Sequence, residues 1–300
     1  MPEADQLVVS ARRSGISRGT ESMVFKGLIP PSQWELMRCP FQAGEFPGPL
    51  KYGYASVGQI DAGPDHLLGK RVFCLYPHQD AYVVPLDSVT LLPDDVPDAR
   101  AVLAANMETA INGLWDAAPR LGDRISVVGA GVVGALVAAL AARIPGVEIE
   151  LVDADPGRAA LATTLGCAFA LPDDAAGERD IIIHASGHPA GLQTALRLAG
   201  FEATVLEMSW YGAQMVPVPL GEAFHSRRLT LRSSQVGAVA AAQRARWDFK
   251  RRMKLAVSLL ADPVFDALLT GQSSLDELPA TLARLAHHPD GTLCHTIVYP

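Results

Sequence analysis

The apolar and polar positions of this chain follow one texture at its start and another through its middle. In the first hundred residues, short apolar runs (Gln6 to Ala11, Ala55 to Ile60, Arg71 to Leu75, Ala81 to Val84) are separated by many Gly and Pro. Short strands with frequent turns predict a small, irregular β-barrel. From Ala99 to Trp115 the pattern turns helical and contains AANMETAINGLW. Strand and helix then alternate: strand 125–128, helix 131–143, strand 148–153 and helix 156–165, followed by strands at 180–185, 203–208 and 229–233, with GHPAGLQTALRLAG as an intervening helix. That alternation predicts an α/β fold, a doubly wound parallel sheet with helices on both faces. A charged helix from Gln243 to Leu260 and a tail ending in LCHTIVYP complete the chain. The expected layout is a barrel domain at 1–109 and 244–300 with a nucleotide domain at 110–243 inserted between its parts.

The segment from Arg124 to Asp155 carries the most chemistry. An apolar strand runs directly into Gly129-Ala-Gly131-Val132-Val133-Gly134, then an Ala/Leu/Val-rich helix, then a strand ending at Asp153. This is the dinucleotide-binding βαβ fingerprint. Gly129 permits the tight turn, Gly131 lets backbone approach a pyrophosphate, and Gly134 brings helix and strand close. The helix N-terminus offers N–H groups and a positive dipole end to phosphates. Asp153 lies nineteen residues beyond Gly134, where an acid accepts hydrogen bonds from both ribose hydroxyls of NAD. Ile125 to Ala142 is eighteen residues without a charge, near the length of a membrane span, but its glycines and the matched strand after it favour a buried helix.

Composition narrows the function classes. Three hundred residues, 49% hydrophobic and 19% charged, suit a compact globular chain with a sizeable core. A net charge of −7 argues against nucleic acid or an anionic membrane as the main partner. The four cysteines, at 39, 74, 167 and 294, form no CxxC pair, which fits a reducing cytoplasm and neither a zinc ribbon nor a disulfide framework. The N-terminus lacks the basic-then-apolar profile of a signal peptide. The basic run RARWDFKRRMK (Arg244 to Lys254) reads as a helix with Trp247, Met253, Val257 and Leu260 on an apolar side and its Lys and Arg in solvent.

A barrel first, a Rossmann domain second and a returning tail resemble the medium-chain dehydrogenase/reductase superfamily over essentially the whole chain. The resemblance implies a GroES-like β-barrel catalytic domain. In zinc alcohol dehydrogenases of that superfamily, a Gly-Ile-Cys-x-Thr-Asp stretch carries the first metal ligand. SGISRGTE (Ser14 to Glu21) stands here instead, with Ser17 at the cysteine position and one extra residue. The Gly-His-Glu-x-x-Gly segment corresponds to Gly53 to Gly58, so Tyr54 replaces the histidine; aligning Thr109 with the nicotinamide-contacting threonine puts Ala105 at the third ligand position. A serine, a tyrosine and an alanine cannot supply the thiolate or imidazole array of zinc, and the structural zinc loop is absent too. The pattern resembles a zinc-free branch, and the IS-x-GTE signature resembles bacteriochlorophyllide dehydrogenase in particular. Relatives usually carry a β-hairpin before the strand at Gln6 to Ala11, so the resemblance implies either a truncated chain or an incomplete barrel, and an unpaired edge at that strand would be a liability for stability and aggregation.

Without a metal, hydride transfer needs a positioned side chain to polarise the carbonyl oxygen. Tyr54, at the lost ligand position, is the leading donor, with Lys51 able to lower its pKa or donate directly. Thr20 and Glu21 fall where the superfamily places a hydroxyl relay and an acid, although an Arg18–Glu21 pair bracing the loop accounts for the glutamate equally well. Glu108 is either a catalytic acid or a satisfied buried one. Cofactor contacts are expected from Thr109, Gly129, Gly131, Val132, Val133, Gly134, Asp153, Arg158, Ser186 and Trp210. Trp210 and Tyr211 follow a strand at the ligand-binding edge and suit a stack on cofactor or substrate, or a dimer contact. His184 reads as a buried, hydrogen-bonded histidine and His225 as a surface one, while His287-His288 lacks companion ligands. The reading is a zinc-independent, cytoplasmic, homodimeric oxidoreductase that interconverts alcohol and carbonyl on a small molecule. NAD(H) is preferred to NADP(H) because Asp153 repels a 2′-phosphate, an argument that nearby Arg158 weakens. An NADPH-dependent enoyl or quinone reductase and a non-catalytic dinucleotide-binding protein are the alternatives.

Overall fold

A computed structural model describes residue 3 and residues 5–300. The chain opens with the long strand β1 (Gln6–Ile16), in which Leu7, Val9 and Ala11 point alternately into the core. Helix α1 (Arg18–Phe25) and a two-residue ladder of β2 (Ala43–Gly44) with β3 (Leu50–Lys51) follow. Then come β4 (Ser56–Ala62), β5 (Arg71–Cys74), β6 (Ala81–Pro85) and β7 (Val89–Leu91). β1 pairs antiparallel with β4 through Val8–Ser14 and with β6 through Gln6–Ser10. An unpaired edge at this strand is therefore not found: two neighbours take up its opposite sides. The short helix α2 (Asp98–Ala101) and the longer α3 (Ala104–Ala117) lead out of this part.

The middle is a six-stranded, all-parallel sheet. Its strands are β8 (Arg124–Val128), β9 (Glu148–Val152), β10 (Ala168–Ala170), β11 (Arg179–His184), β12 (Ala199–Glu207) and β13 (Thr230–Ser233). The spatial order β10-β9-β8-β11-β12-β13 is the 3-2-1-4-5-6 order of the Rossmann fold. Between the strands lie α4 (Val132–Ala141), α5 (Ala159–Thr164), α6 (Pro189–Leu198) and α7 (Ala223–Ser226). The charge-free run of the sequence splits into β8 and α4, and α4 is buried over most of its length. No helix of the described residues is long and apolar enough to cross a membrane. Val128, Ile182, Leu192, Leu196 and Val205 belong to one buried cluster of this unit; each such side chain contributes roughly 1.5–3 kcal/mol.

The chain returns through α8 (Phe249–Leu259), β14 (Leu269–Ser274), α9 (Leu278–His287) and β15 (Cys294–Val298). β15 pairs with β1 along Arg13–Ile16 and with β14, completing a seven-stranded sheet. Val72, Tyr82, Val84 and Ile297 join Leu7 and Val9 in its core. Two compact units result, one reaching Ala105 and resuming over Met253–Pro300, the other spanning Asn106–Arg252.

Candidate active site

In the parallel sheet the strand order reverses between β8 and β11, and such sheets bind ligands outside the carboxyl ends at that point. β8 feeds the glycine loop there. Gly129 has φ 109°, and a Cβ on it would lie 2.6 Å from the Ser186 nitrogen. A Cβ on Gly134 would overlap the Gly129 carbonyl oxygen. Packing thus requires both glycines. Gly131 is different: a Cβ there meets nothing within 4 Å. It caps α4, whose first N–H groups, on Val132, Val133 and Gly134, have no partner within the helix. An open backbone cradle at a helix N-terminus fits a dinucleotide pyrophosphate.

Asp153 stands just past β9. Its carboxylate accepts from the N–H of Ala130 at 2.6 Å and of Asp155 at 2.9 Å, which ties it to the glycine loop. Arg158 is directed to Asp155, 3.4 Å away. Ser186 is exposed in the turn after β11, and Thr109 is half-buried on α3. Trp210 and Tyr211 are half-buried past β12. Tyr211 lies over the His184 ring, with centroids 6.4 Å apart, and donates to Glu207 at 3.1 Å. His184 is fully buried and hydrogen-bonded.

The barrel unit gathers Ser17, Thr20, Glu21 and Tyr54. The Tyr54 hydroxyl donates to Ser17 Oγ at 2.5 Å. Burial, then the nearby Glu21 charge, push the phenol up to about 12, against hydrogen bonds from Ser17 and Thr20 that pull it down. Glu21 reaches back from the first turn of α1 to the Ser17 N–H at 2.7 Å, in the manner of a capping box. Its other oxygen lies 2.9 Å from His78 Nε2 in a buried pair. His78 Nδ1 in turn meets Ser14 Oγ at 2.7 Å, and Ser14 meets the Tyr299 hydroxyl at 2.8 Å. Gly53, at φ 128°, lets the His78 ring approach, since a Cβ there would lie 3.0 Å from it. His78 escaped the sequence reading: it stands 57 residues from Glu21, and no local pattern joins them.

Two expectations need correction. Lys51 is exposed and donates to Gln79 at 3.0 Å, and the charge that acts on Tyr54 is that of Glu21, which raises the phenol rather than lowering it. Arg252, expected in solvent, is 1% exposed. It binds Glu108 Oε1 at 2.9 Å, Asn112 Oδ1 at 2.6 Å and the Val236 carbonyl at 2.6 Å. Glu108 is therefore the buried anchor of an arginine clamp. Burial raises its pKa, opposed by the Arg252 charge.

Among the described residues no three His, Cys, Asp or Glu side chains are grouped to hold a metal ion. Ser17, Tyr54 and Ala105 offer a hydroxyl, a phenol and a methyl group, a set that does not fit zinc.

The sheet order, the glycine loop and the barrel sheet define an α/β fold: the chain has the Rossmann and GroES-like architecture of the medium-chain dehydrogenases. No family model matches it. It is 21% identical to D-guloside 3-dehydrogenase of Escherichia coli K12, over 99% of this chain and 91% of that protein. A zinc-binding-type dehydrogenase from Sinorhizobium meliloti bound to NADP superposes with a TM-score of 0.78 at 17% identity, covering 99% of this chain and 93% of the other. An alcohol dehydrogenase from Escherichia coli CFT073 complexed with NADH gives 0.74 at 16%, with 99% and 93% covered.

Proposed function

We propose that this chain is an NAD(H)-dependent oxidoreductase that interconverts an alcohol and a carbonyl on a small polar molecule, without zinc. The observation that carries the reading is the open cradle at Gly131, between two glycines that packing requires, with Asp153 fastened beside it. Val132, Val133 and Gly134 hold the pyrophosphate through their backbone, and Asp153 holds the ribose hydroxyls. When bound, the nicotinamide supplies hydride exchange. Preference for NAD(H) rests on Asp153, because the competing cation, Arg158, is shared with Asp155. The neighbours themselves differ, one holding NADP and one NADH. A relative acting on D-guloside supports a hydroxyl-rich small molecule as substrate class. Fluorescence titration should show NADH binding tighter than NADPH, with Asp153→Ala narrowing the gap. Equal or tighter NADPH binding in the unaltered protein would reject the assignment.

Tyr54 is the proposed donor. A phenol held up to about 12 stays protonated through the neutral range, so it gives a proton to a carbonyl oxygen and is a poor base. Ser17 and Thr20 orient the hydroxyl, and the Glu21–His78 pair fixes the start of α1 that carries them. Tyr54→Phe should cut turnover by about a hundredfold or more and leave NADH affinity nearly unchanged. The unaltered enzyme should show no alkaline loss from this group below roughly pH 10, because the donor remains in its acid form. Chelators should leave the rate intact. Near-normal turnover in Tyr54→Phe would remove this donor, and one tightly held zinc per chain would remove the metal-free reading.

A further inference from the structure

At the carboxyl end of the parallel sheet, beside the glycine loop, three side chains form a constellation whose chemistry goes beyond holding a dinucleotide. His184 ends β11 and Glu207 ends β12, and the two residues are register partners on adjacent strands. His184 Nδ1 lies 2.7 Å from Glu207 Oε2 and 2.9 Å from Oε1. The same carboxylate accepts from the Ser209 N–H at 2.7 Å and the Tyr211 hydroxyl at 3.1 Å, so it is fixed on both flanks. A carboxylate only accepts, so Nδ1 donates its proton to Glu207 and Nε2 is the ring nitrogen turned toward the serine. That nitrogen is 2.6 Å from Ser186 Oγ.

The rest of the surroundings suit a nucleophile. His184 is fully buried while Ser186 is exposed, so the base is sheltered and the hydroxyl reachable. Ser186 sits in a strand–turn–helix junction between β11 and α6. Gly191 on α6 leaves room for the contact, since a Cβ there would collide with both Ser186 Oγ and His184 Nε2. The His188 N–H donates to Ser186 Oγ at 3.1 Å and holds the oxygen in place. Nucleophile, base and orienting acid stand in hydrogen-bonded sequence, which is how such triads are recognised irrespective of fold.

We propose that Ser186 is an activated nucleophile forming a separate hydrolytic centre for short-chain carboxylic esters, with His184 as its base and Glu207 as the positioning residue. Ser186 Oγ bonds to the ester carbonyl carbon while its proton passes to His184 Nε2. The carbon–oxygen bond to the alcohol then breaks, and His184 returns the proton to the leaving oxygen. Water, deprotonated by the same nitrogen, cleaves the acyl-serine to acid and free hydroxyl. Ester and water become acid and alcohol, with no redox partner. An activated aryl ester acylates the serine readily because its phenolate is a good leaving group, so hydrolysis of the acyl-serine is the slower step.

The test uses the full chain without nicotinamide, so its outcome is independent of the oxidoreductase reading. 4-Nitrophenyl acetate should give a burst of about one nitrophenolate per chain followed by slow turnover. A fluorophosphonate probe, losing fluoride, should label Ser186, as mapped by peptide mass spectrometry. Ser186→Ala should abolish both signals. Glu207→Gln, isosteric and with an unchanged melting profile as the fold check, should slow labelling at least about tenfold, and Glu207→Asp should restore part of the rate. Labelling elsewhere, no labelling, or an unaffected rate in Glu207→Gln would overturn the proposal.

Discussion

Gly134→Val is expected to abolish measurable NADH binding, a loss of at least about a hundredfold or roughly 3 kcal/mol. Any Cβ at this position overlaps the Gly129 carbonyl oxygen, and Val127 Cγ1 stands 3.4 Å away on another side. Backbone cannot swing aside as a side chain can. Gly129 is itself confined on another side, since even a Cβ on it would lie 2.6 Å from the Ser186 backbone. The start of α4 must therefore move off the strand, carrying with it the N–H groups of Val132 and Val133. Overpacking of this kind costs about 1–3 kcal/mol of stability as well, so a lower melting temperature should accompany the lost binding. Gly131→Ala supplies the contrast. Its methyl enters open space in the free protein, so stability should hold while the phosphate cradle is filled. Equal NADH affinity in Gly131→Ala and the unaltered protein would show that the loop is not the phosphate site.

The parts of this molecule that could be read from sequence are those whose physics is local. The β8-turn-α4-β9 segment is dictated within thirty residues by apolar runs, three glycines and an acid, and the alternation that follows it yields the doubly wound sheet. The carboxylate of Asp153 faces the loop because the end of β9 lies beside the end of β8 in that order. What could not be read depends on partners remote in sequence. Glu21 could be read as pairing with Arg18 or as carrying a proton; the fold sets it against His78, brought in by the strands that flank the histidine. Lys51 is near Tyr54 in sequence, yet its ammonium goes to Gln79. The open edge of β1 at Gln6–Ala11 is absent because β6, remote from it in sequence, pairs along Gln6–Ser10 opposite β4. Helical periodicity placed every cation of the 244–254 run in solvent, since a charge is assumed solvated until a buried counter-charge is known. Arg252 has one, Glu108, supplied 144 residues away.

Arg252→Met should be among the most destabilising single changes in the nucleotide unit, by about 3–5 kcal/mol at neutral pH. The arginine holds the buried Glu108 carboxylate, and it also satisfies the Val236 carbonyl and Asn112 Oδ1. Asn112 keeps a donor in the Ala240 N–H at 3.0 Å, so the main penalty falls on the glutamate. Removing one member of a buried pair leaves a charge in a medium that cannot solvate it. The melting temperature should drop on the order of 10 °C. Burial already raises the Glu108 pKa, and losing the Arg252 charge and hydrogen bond, both of which lower it, raises it further. An acid whose folded pKa lies above its unfolded value costs nothing while both states are protonated. Stability falls as pH climbs from the unfolded value to the folded one, and the full cost remains above it. The deficit of Arg252→Met should therefore be greatest at neutral pH and shrink as pH descends into the ordinary carboxylate range. Combining it with Glu108→Leu should recover most of the loss at neutral pH, because the double change removes the unpaired charge along with its partner. Denaturant titrations at pH 7 and pH 5 measure both effects; a deficit in Arg252→Met that is the same at the two pH values and persists in the double variant would place the stability in the arginine's packing and its carbonyl contacts instead.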